Sequence, residues 1–266
     1  MRVAVVGHVE WVEFMRLASV PKPGEIVQGT SLLAVPAGGG GVAAVAIARF
    51  GAHCLFYTAF GDDRLGHSSG EELRRRGVEV FASFRAEPQR RALTIIDANH
   101  ERTILLMGDR HVARGSDPLP WHELATCDAV YITGGDAEAV RQARAAKIVV
   151  ATSRILPLLR EAGIQLDALV GSDNDAAEIY RDGDLPLRPR LVVRTDGGHG
   201  GRYIEAGVEH RYAPVPTEVT GDTYGAGDTF AAALTYALGA RKPAAEAVTF
   251  AAARAAEVVA WTGPYG

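Results

Sequence analysis

The sequence has little that would tie the chain to a membrane, a metal cage or a nucleic acid. It contains two cysteines, Cys54 and Cys127. They are far apart and lack metal or redox spacing, so a reducing, cytoplasmic setting is expected. No apolar run approaches the ~18 residues of a membrane span. The apolar stretch after Met1 is too short for a signal peptide and reads as a first strand. A net charge of −4 offers no basic field to nucleic acid. There is no Gly-x-x-x-x-Gly-Lys-Ser/Thr, which disfavours a P-loop kinase, and Gly7 is not followed by Gly-x-x-Gly, which disfavours a dinucleotide-binding dehydrogenase. Fixed-period repeats, low-complexity tracts and linker-like segments are also missing.

What remains is a chain of 266 residues, 47% apolar and 23% charged. That length and composition suit one large α/β domain with a substantial core. Val3–Val6, ending in Gly7, reads as a strand buried on both faces. His8–Phe14 and Ile26–Val35 read as further strands around the turn Pro21-Lys22-Pro23-Gly24-Glu25. Gly38–Gly41 precede a small-residue helix, Val42–Phe50. Cys54–Ala59 reads as strand and Ser68–Arg76 as helix. Ala92–Ala98 and Arg102–Leu106 flank Asn99-His100-Glu101 as a hairpin. From Ala129 short strands (Val130–Thr133, Ile148–Ala151, Ala168–Val170, Leu191–Arg194) alternate with helical candidates (Ala137–Ala145, Ile155–Ala162, Asp175–Tyr180). Such alternation implies a parallel sheet covered on both faces. The strands near 8–35 and 90–107 fall outside it and are expected to form a separate small sheet. Thr229–Leu238 and Ala244–Thr262 close the chain as helices.

One stretch carries chemistry. In Thr220-Gly221-Asp222-Thr223-Tyr224-Gly225-Ala226-Gly227-Asp228-Thr229-Phe230 a glycine turn feeds a helix with apolar residues at Phe230, Leu234, Ala237 and Leu238. First-turn N–H groups lack partners within a helix, and with the dipole behind them they form an anion site. Asp228 sits beside that site. A carboxylate there is a costly neighbour for a phosphate unless it takes the proton of a hydroxyl that attacks it. The plain alternative is an Asp that charges a helix start.

The stretch from Asp222 to Phe230 resembles the C-terminal signature of the ribokinase-like (PfkB) carbohydrate kinases. The resemblance extends along the chain. Ala37 to Gly41, followed by Ala44, Ile47, Ala48 and Gly51, is similar to the family's N-terminal glycine signature. Gly61-Asp62-Asp63-Arg64-Leu65-Gly66 and Thr195-Asp196-Gly197-Gly198-His199-Gly200 are similar to two further loops. The resemblance implies a mainly parallel sheet flanked by helices, with a small β lid formed from about 8–35 and 90–107. It implies an ATP-dependent kinase acting on a hydroxyl, of the hydroxymethyl kind, of a sugar or nucleoside. By that resemblance Asp228 is the base, and Gly225, Ala226 and Gly227 cradle the phosphoryl group. ATP is held near Thr195, Gly197 and Gly200, with Asp173 and Asn174 on its Mg²⁺ side. Asp222 matches a position that holds a monovalent cation, such as K⁺, in some members, and it fits a turn-forming Asp equally well. Lid strands in the family often pair across a homodimer.

Three departures fall on this pattern. Val12 stands where members carry a hydroxyl-binding Asp, and Val42 where they carry an Asn. The Asn-x-x-Glu motif falls on Asp173-Asn174-Asp175-Ala176, unless a one-residue slip brings Asn174 and Glu178 into the roles. Gly38 and Gly39 remain as substrate contacts, and Glu10, two residues before Val12, is expected to replace the lost Asp. An exposed glutamate, a solvated strand end at Arg90–Arg91 and a structural His8 are the plainer alternatives. A kinase of a less polar alcohol and a catalytically weak sugar- or nucleotide-binding sensor are the competing functions.

Overall fold

The computed structural model describes residues 1–98 and 101–265. Its larger sheet has nine strands in the order β13-β12-β11-β10-β9-β8-β1-β4-β5. These are β1 (Arg2–Val6), β4 (His53–Gly61), β5 (Val78–Arg85), β8 (Ala129–Ile132), β9 (Ile148–Thr152), β10 (Ala168–Ser172), β11 (Leu191–Thr195), β12 (Gly201–Glu205) and β13 (Val208–Tyr212). A second sheet has the order β3-β2-β6-β7, from β2 (Glu10–Arg16), β3 (Thr30–Ala37), β6 (Arg91–Ile96) and β7 (Arg102–Met107). The helices are α1 (Gly38–Arg49), α2 (Arg64–Arg75), α3 (Ala137–Ala143), α4 (Leu156–Ala162), α5 (Ala226–Gly239) and α6 (Ala244–Val258).

From β5 to β11 the large sheet is parallel, and its central strands are apolar throughout, as burial on both faces requires. One core layer packs α1, α5 and α6 through Val45, Ile47, Phe230 and Leu234 against Val3, Val5 and Phe56. The other packs Trp121, Val140 and Leu159 against Ala4, Leu55 and Ile132. In the small sheet Val12 and Phe14 face inward and meet Val42 and Tyr224, with Phe14 and Tyr224 edge to face at 5.0 Å. The small sheet is thereby fastened to the N-terminus of α1 and to the signature stretch.

Several sequence expectations change. Residues 26–29 are not strand; β3 begins at Thr30. The helix expected from Val42 begins at Gly38, because close packing outweighs glycine's poor helix propensity. A Cβ on Gly40 would lie 2.7 Å from the His8 carbonyl, so only glycine lets α1 abut the β1–β2 junction. The helix expected over Asp175–Tyr180 is a single 3₁₀ turn at Ala176–Glu178, started by the Asp175 carboxylate accepting from Ala177 N–H. α6 ends at Val258 rather than Thr262, and α5 begins at Ala226 rather than Thr229. β5, β12 and β13 were not anticipated. The β12–β13 hairpin is antiparallel, and its turn uses Ala206 at φ 50° and Gly207 at φ 83°. Positive φ at both central residues suits a two-residue hairpin, but Ala-Gly is a weak sequence signal for it. The expected turn at Asn99-His100 lies outside the described residues.

Candidate active site

The site gathers where parallel strands end, at the carboxyl side of the sheet, which is where α/β sheets open a crevice. Gly7 follows β1 and Thr133 follows β8. A Cβ on Gly7 would lie 2.4 Å from the Thr133 methyl, so the two strand ends close together only because Gly7 has none. Gly39, in the first turn of α1, is closely surrounded by polar groups. A Cβ placed there would lie 2.8 Å from Thr133 Oγ1, 3.0 Å from Asp228 Oδ1 and 3.6 Å from the His8 ring. Four groups from four separate segments therefore converge on one point.

Gly225 caps α5 in the left-handed conformation, at φ 82°. Ala226 N–H makes only a 3.5 Å contact with Thr223 O, and no side chain caps the helix. A Cβ on Gly227 would meet nothing within 4 Å, so the first turn opens onto free space. Asp228 lies in that first turn, half-buried, and its carboxylate makes no hydrogen bond or ion pair among the described residues. Burial and the charge of Glu178 push its carboxyl up to about 6, against the pull of Arg154 and Arg102. That is a tuned carboxylate with no structural task.

The turn is held from behind. Asp222 is buried; its Oδ1 accepts from Tyr224 N–H at 2.8 Å and its Oδ2 from Gly263 N–H at 2.7 Å. Asp222 N–H donates to Trp261 O, so the C-terminal strap is sewn to the signature. Tyr224 Oη accepts from Gly38 N–H at 3.3 Å. From the small sheet, Arg102 donates to the carbonyl and hydroxyl oxygens of Thr223.

On the second side, Thr195 ends β11 and Thr195 Oγ1 lies 3.5 Å from Gly171 O. Gly200, at φ 85°, has no room for a side chain, since a Cβ would lie 2.4 Å from Tyr212 O. Gly197 faces Asn174 Nδ2. Asp173 is spent on Arg194 at 2.5 Å and Arg202 at 3.2 Å. Glu178 instead reaches toward Asp228: its charge is felt there, while it accepts from Ser172 N–H at 2.8 Å and pairs with Arg154 at 2.6 Å. Of the two registers, the one-residue slip is the one whose carboxylate, Glu178, acts electrostatically on Asp228.

The acceptor side differs from expectation. Glu10 shares the inward face of β2 with Val12, as alternation requires. It is not a free acceptor, because Arg90 Nε lies 3.0 Å from Glu10 Oε1. The Arg90 Nε–H does not point at that oxygen, so the contact is an ion pair rather than a hydrogen bond. Val12 and Val42 are 0% and 1% exposed. They belong to the core under the small sheet. Thr133, Arg102 and Arg154 went unremarked in the sequence. A polar residue directly after a buried strand was the available signal for Thr133.

The whole chain, residues 1–266, matches the pfkB family carbohydrate kinase description. The chain belongs to the PfkB family of carbohydrate kinases. This carbohydrate kinase is 29% identical to a ribokinase of Bacillus subtilis over 252 residues, which cover 87% of this chain and 83% of the relative. It superimposes on the crystal structure of a ribokinase from Thermotoga maritima with a TM-score of 0.80, 22% identity and coverage of 99% and 94% of the two chains. A ribokinase from Arabidopsis thaliana, solved with ribose and ATP, gives a TM-score of 0.76 at 20% identity, covering 98% and 96%. The expected ribokinase-like fold is thus observed, and the kinase is an ATP-dependent phosphotransferase with an alcohol acceptor.

Proposed function

We propose that the chain moves the γ-phosphoryl group of ATP to a hydroxymethyl group of a sugar or nucleoside, with Asp228 as the general base. The observation that carries the reading is the free Asp228 carboxylate in the open first turn of α5, with free space over Gly227. An acceptor hydroxyl brought to the open first turn of α5 would meet the Asp228 carboxylate, with Thr133 and His8 close to Asp228 around Gly39. Asp228 takes its proton as the oxygen attacks phosphorus. Charge on the transferring group meets the N–H groups of Gly225, Ala226 and Gly227 and the positive end of the helix dipole. Phosphoryl transfer asks for little more than such positioning and charge stabilisation.

ATP is read against Thr195 and the glycine loop Gly197–Gly200, whose Gly197 is exposed while Gly200 is packed against Tyr212. Mg²⁺ neutralises phosphate charge when bound. Among the described residues no three acidic or histidine side chains converge, so protein ligands are few, as is usual for Mg²⁺ carried on a nucleotide. Asn174 and Glu178 would hold its water shell. Each Asp222 oxygen accepts one amide hydrogen, which suits the turn-forming role, and no step is derived through K⁺.

The sensor reading is disfavoured because a sensor has no use for a free carboxylate raised to about 6. The less polar alcohol loses its support because Val12 and Val42 are core residues. A homodimer through the small sheet draws support from β7, an edge strand whose Ile104, Leu105, Leu106 and Met107 are 41–51% exposed. A panel of sugars and nucleosides, assayed for ADP release and for phosphorylated product, tests the function. ATP turnover with no product in the presence of any hydroxymethyl acceptor would overturn it.

A further inference from the structure

Between Gly39 and the small sheet the charged side chains are unbalanced. His8 follows Gly7, and its ring packs over Gly38 and Gly39. Its Nε2 is 3.8 Å from Glu10 Oε1, and Glu10 in turn meets Arg90. Arg90 is 13% exposed in its side chain. Arg110 stands close by. β6 and β7 pair Arg91 with Met107, so Gly108 lies beside Arg90, and a Cβ on Gly108 would be 3.8 Å from Arg90 Cα. Just past Arg110 the chain is pinned: His111 Nε2 lies 2.9 Å from Pro88 O, Arg85 donates to Val112 O, and Val112 packs on Gly134 next to the His8 ring. Arg110 is thus bracketed between Arg90 and His8.

The other arginines nearby are satisfied. Arg85 has Asp117, Arg91 has Glu13, Arg102 has Thr223, and Arg154 has Asp175 and Glu178. Arg110 is exposed and has no hydrogen bond or ion pair among the described residues. Here two guanidinium groups face one carboxylate. His8 does not change the count, since burial, Arg110 and Arg90 push it down to about 3 and leave it neutral. Its Nδ1 has no hydrogen-bond partner. The residues that would bind a neutral polyol are meanwhile replaced by Val12 and Val42, both enclosed in the core.

We infer that the acceptor carries an anionic group, a carboxylate or a phosphate, at the end remote from the hydroxyl that Asp228 deprotonates, and that Arg110, beside Arg90, receives it. The inference rests on the kinase reading above. Arginine presents a planar fork suited to either anion. The Glu10–Arg90 pair holds the second guanidinium in place, and the unpaired Arg110 supplies the net positive charge.

The test is calorimetric titration of wild type and Arg110→Gln with D-fructose, D-fructose 6-phosphate and D-gluconate, each with ATP titrated in parallel. Arg110 is exposed, so the variant should fold normally. At least one anionic probe should bind wild type ~10-fold or more tighter than fructose and lose about that factor in Arg110→Gln, the range for one charged hydrogen bond. Arg110→Lys should recover part of the loss. ATP should bind all three proteins alike. The tighter anion tells carboxylate from phosphate. Fructose binding as well as both anions, neither anion binding, or anion binding that ignores Arg110→Gln overturns the inference. Failure of ATP to bind wild type would overturn the kinase reading instead.

Discussion

Asp228 and Glu10 are both carboxylates near the cleft, yet they differ in what holds them. Asp228 is unpaired and raised to about 6; Glu10 is raised by burial and drawn back by Arg90. A base must be ionised, so kcat/KM should fall as pH drops through about 6 and be level above it. A profile flat down to pH 5 would show that Asp228 does not titrate in the rate. The same shift bears on stability. The folded state holds the Asp228 proton more tightly than the unfolded state, so its ionisation costs stability as pH rises from about 4 through 6. Asp228→Asn should therefore raise Tm at pH 7.5 and not at pH 3.5. Glu10→Ala leaves Arg90 buried without its anion and should cost roughly 3–5 kcal/mol in urea unfolding, the usual cost of breaking a buried pair. A loss below 1 kcal/mol would mean water already reaches that pair. At this scale the sequence was legible for Asp228, whose signature is local. It was not for Glu10, because its partner is eighty residues away, at Arg90.

At the scale of elements, two glycine-started helices make the site. α1 can begin at Gly38 only because Gly40 touches backbone, and α5 begins at a left-handed Gly225. Gly40→Ala should destabilise by roughly 1–3 kcal/mol through overpacking against the His8 carbonyl, seen as a lower urea midpoint. Gly227 is different. Positive φ belongs to Gly225, and a side chain on Gly227 would project into open space. Gly227→Val should keep the fold and lose turnover by filling the phosphoryl position. Unchanged kinetics in the folded variant would remove the anion-hole assignment. The strand-helix alternation after Ala129 was readable from apolar runs and their breaks. The start of α1 was not, because glycine propensity argues against a helix that tertiary contact imposes. The β12–β13 hairpin escaped because half-exposed strands with charges at Arg202, Glu209 and Arg211 carry little apolar signal.

The whole molecule joins two sheets around one cleft. The small sheet is fastened through Tyr224 and Arg102 to the stretch that carries Asp228, so the sheet and that turn are mechanically one unit. Its exposed β7 edge leads us to expect a dimer in sedimentation, and Leu106→Lys should shift it toward monomer. That organisation was foreseeable as a second sheet from strands outside the alternating pattern; the Arg102 tie was not, since nothing near Arg102 in sequence points to Thr223. The claim on which the rest depends is that this assembly moves a phosphoryl group using Asp228. Single-turnover transfer of label from [γ-³²P]ATP to an accepted hydroxymethyl compound measures it directly. Asp228→Asn should bind ATP as wild type does and transfer label roughly 10²–10⁴-fold more slowly, the range for a positioned base. Transfer within a few-fold of wild type would contradict the account.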